Sequence, residues 1–384
     1  MSEAASSPSY ARAAPPRQAR REPLDALTGL RFFAAAHVVL YHFAEPALPA
    51  ATPAVIRNVL AHGYVGVSFF YLLSGFILAY NYVDRSEDGT VRMRGTSGAF
   101  WWNRFARVYP LYLVAWLAAA PVSIGHRLAA DGSPVVFAAK TTAAGLVSLG
   151  LAQAWLPGAH TWWNPPSWSI SVEALFYAAF PALLPRLLAP RRSRLGLALG
   201  LYLVALFAPV VYLATTRDEL LLALVKYDPL LHLPTFALGI LLAELFDSPL
   251  RERLLRARVP LGVGAMSVLG LLLATPPGAT NLLFHNGLLA PAFGALILAV
   301  ALGLPMVSPA LSSPLLLLLG EASFGLYILQ SPVWSGWRRL DLGLSRGVDL
   351  AAFFGVLVAV SVAAHRLVEL PARRRLRTAT MTQG

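Results

Sequence analysis

Apolar runs of about 20 residues follow one another along nearly the whole chain, each long enough to cross a bilayer's hydrocarbon core as a helix. They lie near 25–43, 63–82, 99–120, 135–154, 167–188, 195–214, 229–246, 259–275, 285–304, 314–334 and 348–368. None alternates polar and apolar residues as a barrel strand does. Backbone in hydrocarbon has no water to bond and must satisfy its own donors and acceptors. The fold class is therefore an all-α integral membrane protein. Composition agrees: 57% of the 384 residues are hydrophobic and only 13% charged, far from the soluble average.

The basic residues set the topology. Arginines cluster at 12–21, 85–107, 186–194, 251–258 and 373–377, between apolar runs, as cytoplasmic loops require. Topology thus accounts for the formal charge of +12, and no nucleic-acid partner is expected. If all five clusters are cytoplasmic, an even number of crossings separates each successive pair. The intervals hold two, three, two and four candidates. One segment between Arg107 and Arg186 is therefore expected not to cross as a full helix, either 135–154 or its continuation AWLPGAHTWWNPPSW. A bundle of about ten transmembrane helices results, with both termini cytoplasmic and the irregular stretch as a candidate site wall.

Residues 1–22 are Pro/Ala/Arg-rich and lack the apolar core of a signal peptide, so they read as a disordered cytoplasmic tail. Residues 23–371 then form the transmembrane domain and 372–384 a basic cytoplasmic tail. The chain has no cysteine, which removes disulfides, thiolate metal sites and a cysteine acyl-enzyme. Lysine occurs only at Lys140 and Lys226. With the excess of Ala, Pro and Leu, this composition suits a GC-rich bacterial genome and a bacterial cytoplasmic (inner) membrane.

Charged groups inside apolar spans are expensive and point to function. The first span, LDALTGLRFFAAAHVVLYHF, carries Arg31, His37 and His42. Arg31 and His42 are eleven residues apart, so they share a face and are separated by about 16 Å along the axis, whereas His37 points elsewhere. Alone, Arg31 reads as a headgroup anchor and His42 as a packed core histidine. The fifth span opens with PPSWSISVEALFYAAF, where Ser169, Glu173 and Tyr177 form a polar stripe at i, i+4 spacing. A buried carboxylate facing a buried imidazole would make an acid–base pair. Arg104 and Arg107, in WWNRFARVYPLY with Tyr112 beyond, share one side of a helix start. Such pairs usually flank a membrane span, yet the same guanidiniums suit a phosphate clamp. Ser74-Gly75 in GVSFFYLLSGF suits close helix packing. Ser323, Tyr327 and Gln330 in GEASFGLYILQ form a further polar stripe.

Taken together, these residues resemble the acyltransferase-3 family of membrane acyltransferases, from about Leu24 to Arg377. LDALTGLRFFAA with the Arg31–His42 spacing, FFYLLSGF, RFARVYPLY, WSISVE, LPTFALGILLA, GEASFGLYILQ and VELPARR occur in the family's order. Each is weak alone, whereas seven in order are specific. The resemblance implies a ten-helix bundle that moves an acyl group, often acetyl, from cytoplasmic acyl-CoA to a hydroxyl. Acceptors in the family include surface polysaccharides, lipid-linked sugars, peptidoglycan and secreted small molecules. Acyl-CoA is then a co-substrate, and no metal or resident cofactor is expected. Many relatives carry His where this chain has Gln330, so Gln330 receives no acid–base role. Relatives often carry Arg at the position of His232. Some have a fused esterase-like domain, and this chain is expected to act without one.

The residue reading and the resemblance converge on one mechanism. Arg31, with Arg104 and Arg107, would hold donor phosphates while the thioester lies near His42. His42 would act as general base on the acceptor hydroxyl, oriented by Glu173 as in a catalytic triad. An acyl-imidazole on His42 is an open alternative. Ser74, Tyr112, Trp168, Ser169, Tyr177, Ser323, Tyr327 and Gln330 are the expected substrate-binding wall. The competing class is a glycan or lipid transporter or flippase, which also uses broken helices and intramembrane polar groups.

Overall fold

The computed structural model describes residues 21–85, 90–130, 133–188, 193–216, 218–278 and 280–381. Most of the tail expected over 1–22 lies outside them, as does Ser86. Among the described residues the fold is 80% helical. In order, the first helices are α1 (Asp25–Phe43), α2 (Ala54–Ala61), α3 (Gly66–Tyr82), α4 (Ser97–Ala130), α5 (Pro134–Leu149) and α6 (Trp168–Leu188). Next come α7 (Ser193–Thr215), α8 (Glu219–Tyr227), α9 (Pro229–Phe246), α10 (Arg251–Leu273), α11 (Thr280–His285) and α12 (Ala290–Ala301). The last are α13 (Val307–Leu311), α14 (Pro314–Glu321), α15 (Ser323–Ile328), α16 (Gln330–Trp337), α17 (Arg346–Ala364) and α18 (Leu370–Met381). A small antiparallel hairpin, β1 (Val83–Arg85) and β2 (Val91–Met93), links α3 to α4.

Among the described residues, seven helical stretches are long and apolar enough to span a membrane. Pro134–Leu149, Leu199–Thr215 and Ala290–Ala301 are apolar but shorter. The 314–334 segment, expected as one continuous span, is instead interrupted into three short helices in succession, α14, α15 and α16. The breaks fall beside Gly320, Ala322 and Ser323, a cluster of small residues that includes the weak helix formers Gly and Ser, and again at Leu329. Between α5 and α6 the chain runs irregularly through short 3₁₀ turns, with left-handed backbone at Leu151 (φ 56°) and Gly158 (φ 79°). This is the stretch the arginine spacing singles out.

Irregular backbone at membrane depth survives only where protein buries it, and these two interruptions support each other. The Asn164 side-chain amide donates to the Ile328 carbonyl at the end of α15, 3.0 Å away. Gln153 closes the loop by donating to the Ser167 carbonyl at 2.7 Å.

Glycines set the closest helix approaches. A Cβ on Gly75 would lie 2.1 Å from the Phe236 carbonyl oxygen, and one on Gly239 would lie 2.1 Å from that of Leu72. The α3–α9 crossing therefore needs a bare backbone on both sides, as expected for small residues between lipid-embedded helices. Gly29 and Gly320 do the same for α1 against Leu311 and Thr28, which locks α1 half a turn before Arg31. Gly75→Leu or Gly239→Leu is expected to destabilise the bundle by at least about 1–3 kcal/mol, the usual range for overpacking. Thermal melting of the purified variants checks it. An unchanged midpoint would mean the helices do not pack there.

Candidate active site

One cavity of about 290 Å³ lies among α1, α3, α4, α6 and the α14–α18 region. It collects residues that the sequence reading drew from separate spans: Arg31 from α1, Ser74 from α3, Arg104 and Arg107 from α4, Ser169, Glu173 and Tyr177 from α6, and Ser323 and Tyr327 from α15. Nine of the thirteen expected site residues therefore share one wall. Tyr112, Trp168, Gln330 and His42 are not in that wall.

The four outliers have identifiable places. Tyr112 is 1% exposed and donates to the Ser148 carbonyl at 2.5 Å, tying α4 to α5. Trp168 stacks on His285 (ring centroids 5.4 Å apart) and packs edge-on to Tyr227 at 4.8 Å. Both hold the fold rather than line the cavity. A helical-face argument gives a direction but not the neighbour that fills it. Gln330 is fully buried, donates to the Tyr327 carbonyl at 2.7 Å and lies beside His42.

His42 sits in the last turn of α1, with its side chain exposed. Its Nδ1 lies 2.8 Å from the Val38 carbonyl, which can only accept, so Nδ1 carries the proton of a neutral ring. Nε2 is then the ring's acceptor nitrogen, with the Gln330 side chain beside the ring. His37 turns away, as expected, and its Nε2 donates to the Val59 carbonyl at 2.7 Å.

The expected bond between His42 and Glu173 does not form. The Glu173 carboxylate instead accepts from the Tyr177 hydroxyl, one turn along α6, and from Ser74 Oγ at 3.4 Å. Its charge also acts on Arg31, together with that of Glu369. Ser169 Oγ meets the Tyr327 hydroxyl at 2.7 Å, and both also bond the Pro166 carbonyl. Among the described residues, the buried hydroxyls of Tyr71 and Ser323, both in the cavity wall, have no partner.

Electrostatically the cavity is unusual. Among the described residues Arg31, Arg104 and Arg107 make no ion pair. The Arg104 guanidinium lies over the rings of Tyr82, Phe100 and Tyr177 at 5.8, 5.9 and 6.0 Å, and its Nε is buried without a partner. Aromatic faces hold such a cation in place without neutralising it. Three guanidiniums lining one cavity have the chemistry to hold an anion, and Glu173, Glu321 and Glu369 line the same cavity.

The sequence reading missed part of this wall. Glu321, His365, Glu369 and Arg373 also line the cavity. His365 is 2% exposed, with Nε2 3.4 Å from Glu321 and Nδ1 3.6 Å from Glu369. It begins a π-helical turn, His365–Glu369, between α17 and α18, a distortion common at functional sites. Both acidic residues lie in stretches that carried the resemblance, GEASFGLYILQ and VELPARR. The i, i+4 spacing of His365 and Glu369 at the end of an apolar run was the available signal.

Comparison with known proteins shows the family. The acyltransferase-3 family, described as an acyltransferase domain, matches residues 24–366. The chain is 32% identical over 396 aligned positions to Acyltransferase MdmB of Streptomyces mycarofaciens, covering 94% of each chain. A 55-residue stretch is 46% identical to Protein 2 in picA locus of Rhizobium radiobacter, covering 14% of this chain and 27% of that one. No solved structure matches. A family match across the membrane-spanning part of the chain, a relative alike over almost its full length, and a cationic cavity built from the same motifs lead to one conclusion: this chain belongs to the acyltransferase-3 family of membrane acyltransferases.

Proposed function

We propose that the protein transfers an acyl group, acetyl in the simplest case, from cytoplasmic acyl-CoA to a hydroxyl of a glycan, lipid-linked sugar or secreted small molecule. The observation that carries this reading is the trio Arg31, Arg104 and Arg107, which converges on one cavity free of ion pairs to these three among the described residues. CoA is a polyanion, and guanidiniums hold phosphates in a bidentate fashion. With the phosphates on the arginines, the pantetheine arm runs inward along α1. The thioester then reaches the deep end of the cavity, by Ser169, Tyr327 and Tyr71. His42 approaches from the far side, its Nε2 available to take the proton of the acceptor hydroxyl. Gln330 bridges the two sides, bonded to Tyr327 and adjacent to His42. Glu173 fixes Tyr177 and Ser74 and balances part of the arginine charge.

Purified protein in lipid nanodiscs, given acetyl-CoA and an extract containing the acceptor, should release CoA in proportion to acylated product. Turnover of the extract without CoA release would refute the donor assignment. Comparing glycans, lipids and small molecules of a deletion strain with its parent, by mass, identifies the acceptor.

The same reading sets a topology of ten crossings with both termini cytoplasmic, in a bacterial cytoplasmic membrane. Single cysteines at Ser193 and Thr378, in a chain that has none of its own, should both be shielded from an impermeant thiol reagent in intact cells. Labelling of the Ser193 substitution from outside would break the even-crossing count between Arg107 and Arg186.

A further inference from the structure

A second cleft, of about 310 Å³, lies between α4 and α6 and plays no part in the mechanism above. Trp101, Phe105, Tyr109, Leu151, Ala174 and Ala178 line it, so its wall is apolar. Trp101, Phe105 and Ala178 are exposed, which puts the mouth on the outer surface of two membrane-spanning helices. Its lip and floor are fixed: Trp101 Nε1 donates to the Tyr177 carbonyl at 3.0 Å, and Phe105 stacks on Tyr109 at 4.7 Å. Arg104, Val108, Ile170 and Tyr177 line both this cleft and the cationic cavity. These four side chains form the partition between the two compartments.

We infer that the cleft is the binding site for the hydrocarbon chain of an acyl donor longer than acetyl. The inference rests on the acyl-CoA reading above and deepens it. In that reading the thioester lies at the inner end of the cavity, beside Ser169 and Ile170. The chain passes between Val108 and Ile170, then runs back along α4 from Tyr109 towards Trp101, a path of about 12 Å at the helical rise. A membrane lipid tail could occupy an apolar cleft anywhere on the bundle. A hydrocarbon chain carried by an anionic donor needs an apolar compartment against a cationic one, and the shared partition supplies that adjacency.

The test is binding of non-hydrolysable S-alkyl-CoA thioethers (ethyl, butyl and octyl) to the full chain in nanodiscs. In the wild type each buried methylene should tighten binding by about fourfold until the cleft is full. Ala174→Phe fills the inner part of the cleft. Ala178→Trp fills the exposed mouth, where no core packing is disturbed. Either variant should bind S-ethyl-CoA as the wild type does yet lose at least tenfold of the gain with S-octyl-CoA. If S-octyl-CoA binds the wild type no tighter than S-ethyl-CoA, the cleft holds no donor chain. The proposal fails equally if both variants keep the full gain, since the chain then lies in bulk lipid or elsewhere. Failure of every thioether, S-ethyl-CoA included, to bind is a different result, which sinks the acyl-CoA reading and this inference with it.

Discussion

His42→Ala is expected to lower acyl transfer by about 10²- to 10⁴-fold, the usual contribution of a general base, and to leave donor binding unchanged. The ring is outside the cavity wall and its nearest bond is local, Nδ1 to Val38, so removing it disturbs neither the arginine trio nor the helix crossings. Product formed per molecule of protein, measured by mass in a strain whose only copy carries the substitution, gives the rate. Analogue binding gives the donor affinity. A second substitution tests how His42 and Glu173 cooperate. The triad-like pairing suggested by the sequence predicts that the double variant with Glu173→Ala is little worse than either single, because groups acting as one unit are non-additive. The structure predicts the opposite. Glu173 bonds Tyr177 and Ser74 and has no hydrogen-bond partner in common with His42, so the two losses should multiply. A double variant no slower than His42→Ala would restore the coupled pair.

How far the sequence reveals the site depends on what kind of signal each residue leaves. Arg31, Arg104, Arg107 and Glu173 are legible because a charge in or beside an apolar run has few structural explanations, and one cavity does hold all four. Ser74, Ser169 and Tyr177 follow from their place on helices that carry or face such a charge. Trp168 and Tyr112 lie outside the cavity wall, with their aromatic and polar surface engaged in packing. The break of 314–334 into three helices is hidden by its apolar composition, which continues through α14 and α15. Its clue is the small-residue cluster at Gly320, Ala322 and Ser323. The spacing of His365 and Glu369 marks a shared helix face, whereas the π-helical turn between them, with both residues in the cavity wall, is visible only in the fold.

The donor half of the mechanism rests on Arg31, and its removal should have the larger effect on binding. Arg31→Ala is expected to weaken binding of a non-hydrolysable acyl-CoA by roughly ten- to a hundredfold, the equivalent of losing one charge-assisted contact worth about 1.5–3 kcal/mol. Arg31 lines the same cavity as Glu173, and the close approach of Gly29 and Gly320 to neighbouring backbone fixes the start of its helix. The guanidinium is thus placed in the cavity wall rather than among the headgroups. Arg31→Lys should recover only part of the loss, since an ammonium supplies the charge but not the bidentate fork. Arg104→Ala should behave similarly if the three guanidiniums share the phosphates. The loss in the double variant should then fall short of the product of the two singles, because neighbouring contacts to one ligand couple. Calorimetric titration of the purified variants in nanodiscs measures all four affinities. An Arg31→Ala protein that binds the analogue as tightly as wild type would return Arg31 to the role of a headgroup anchor, and the acyl donor would have to be sought elsewhere in the bundle.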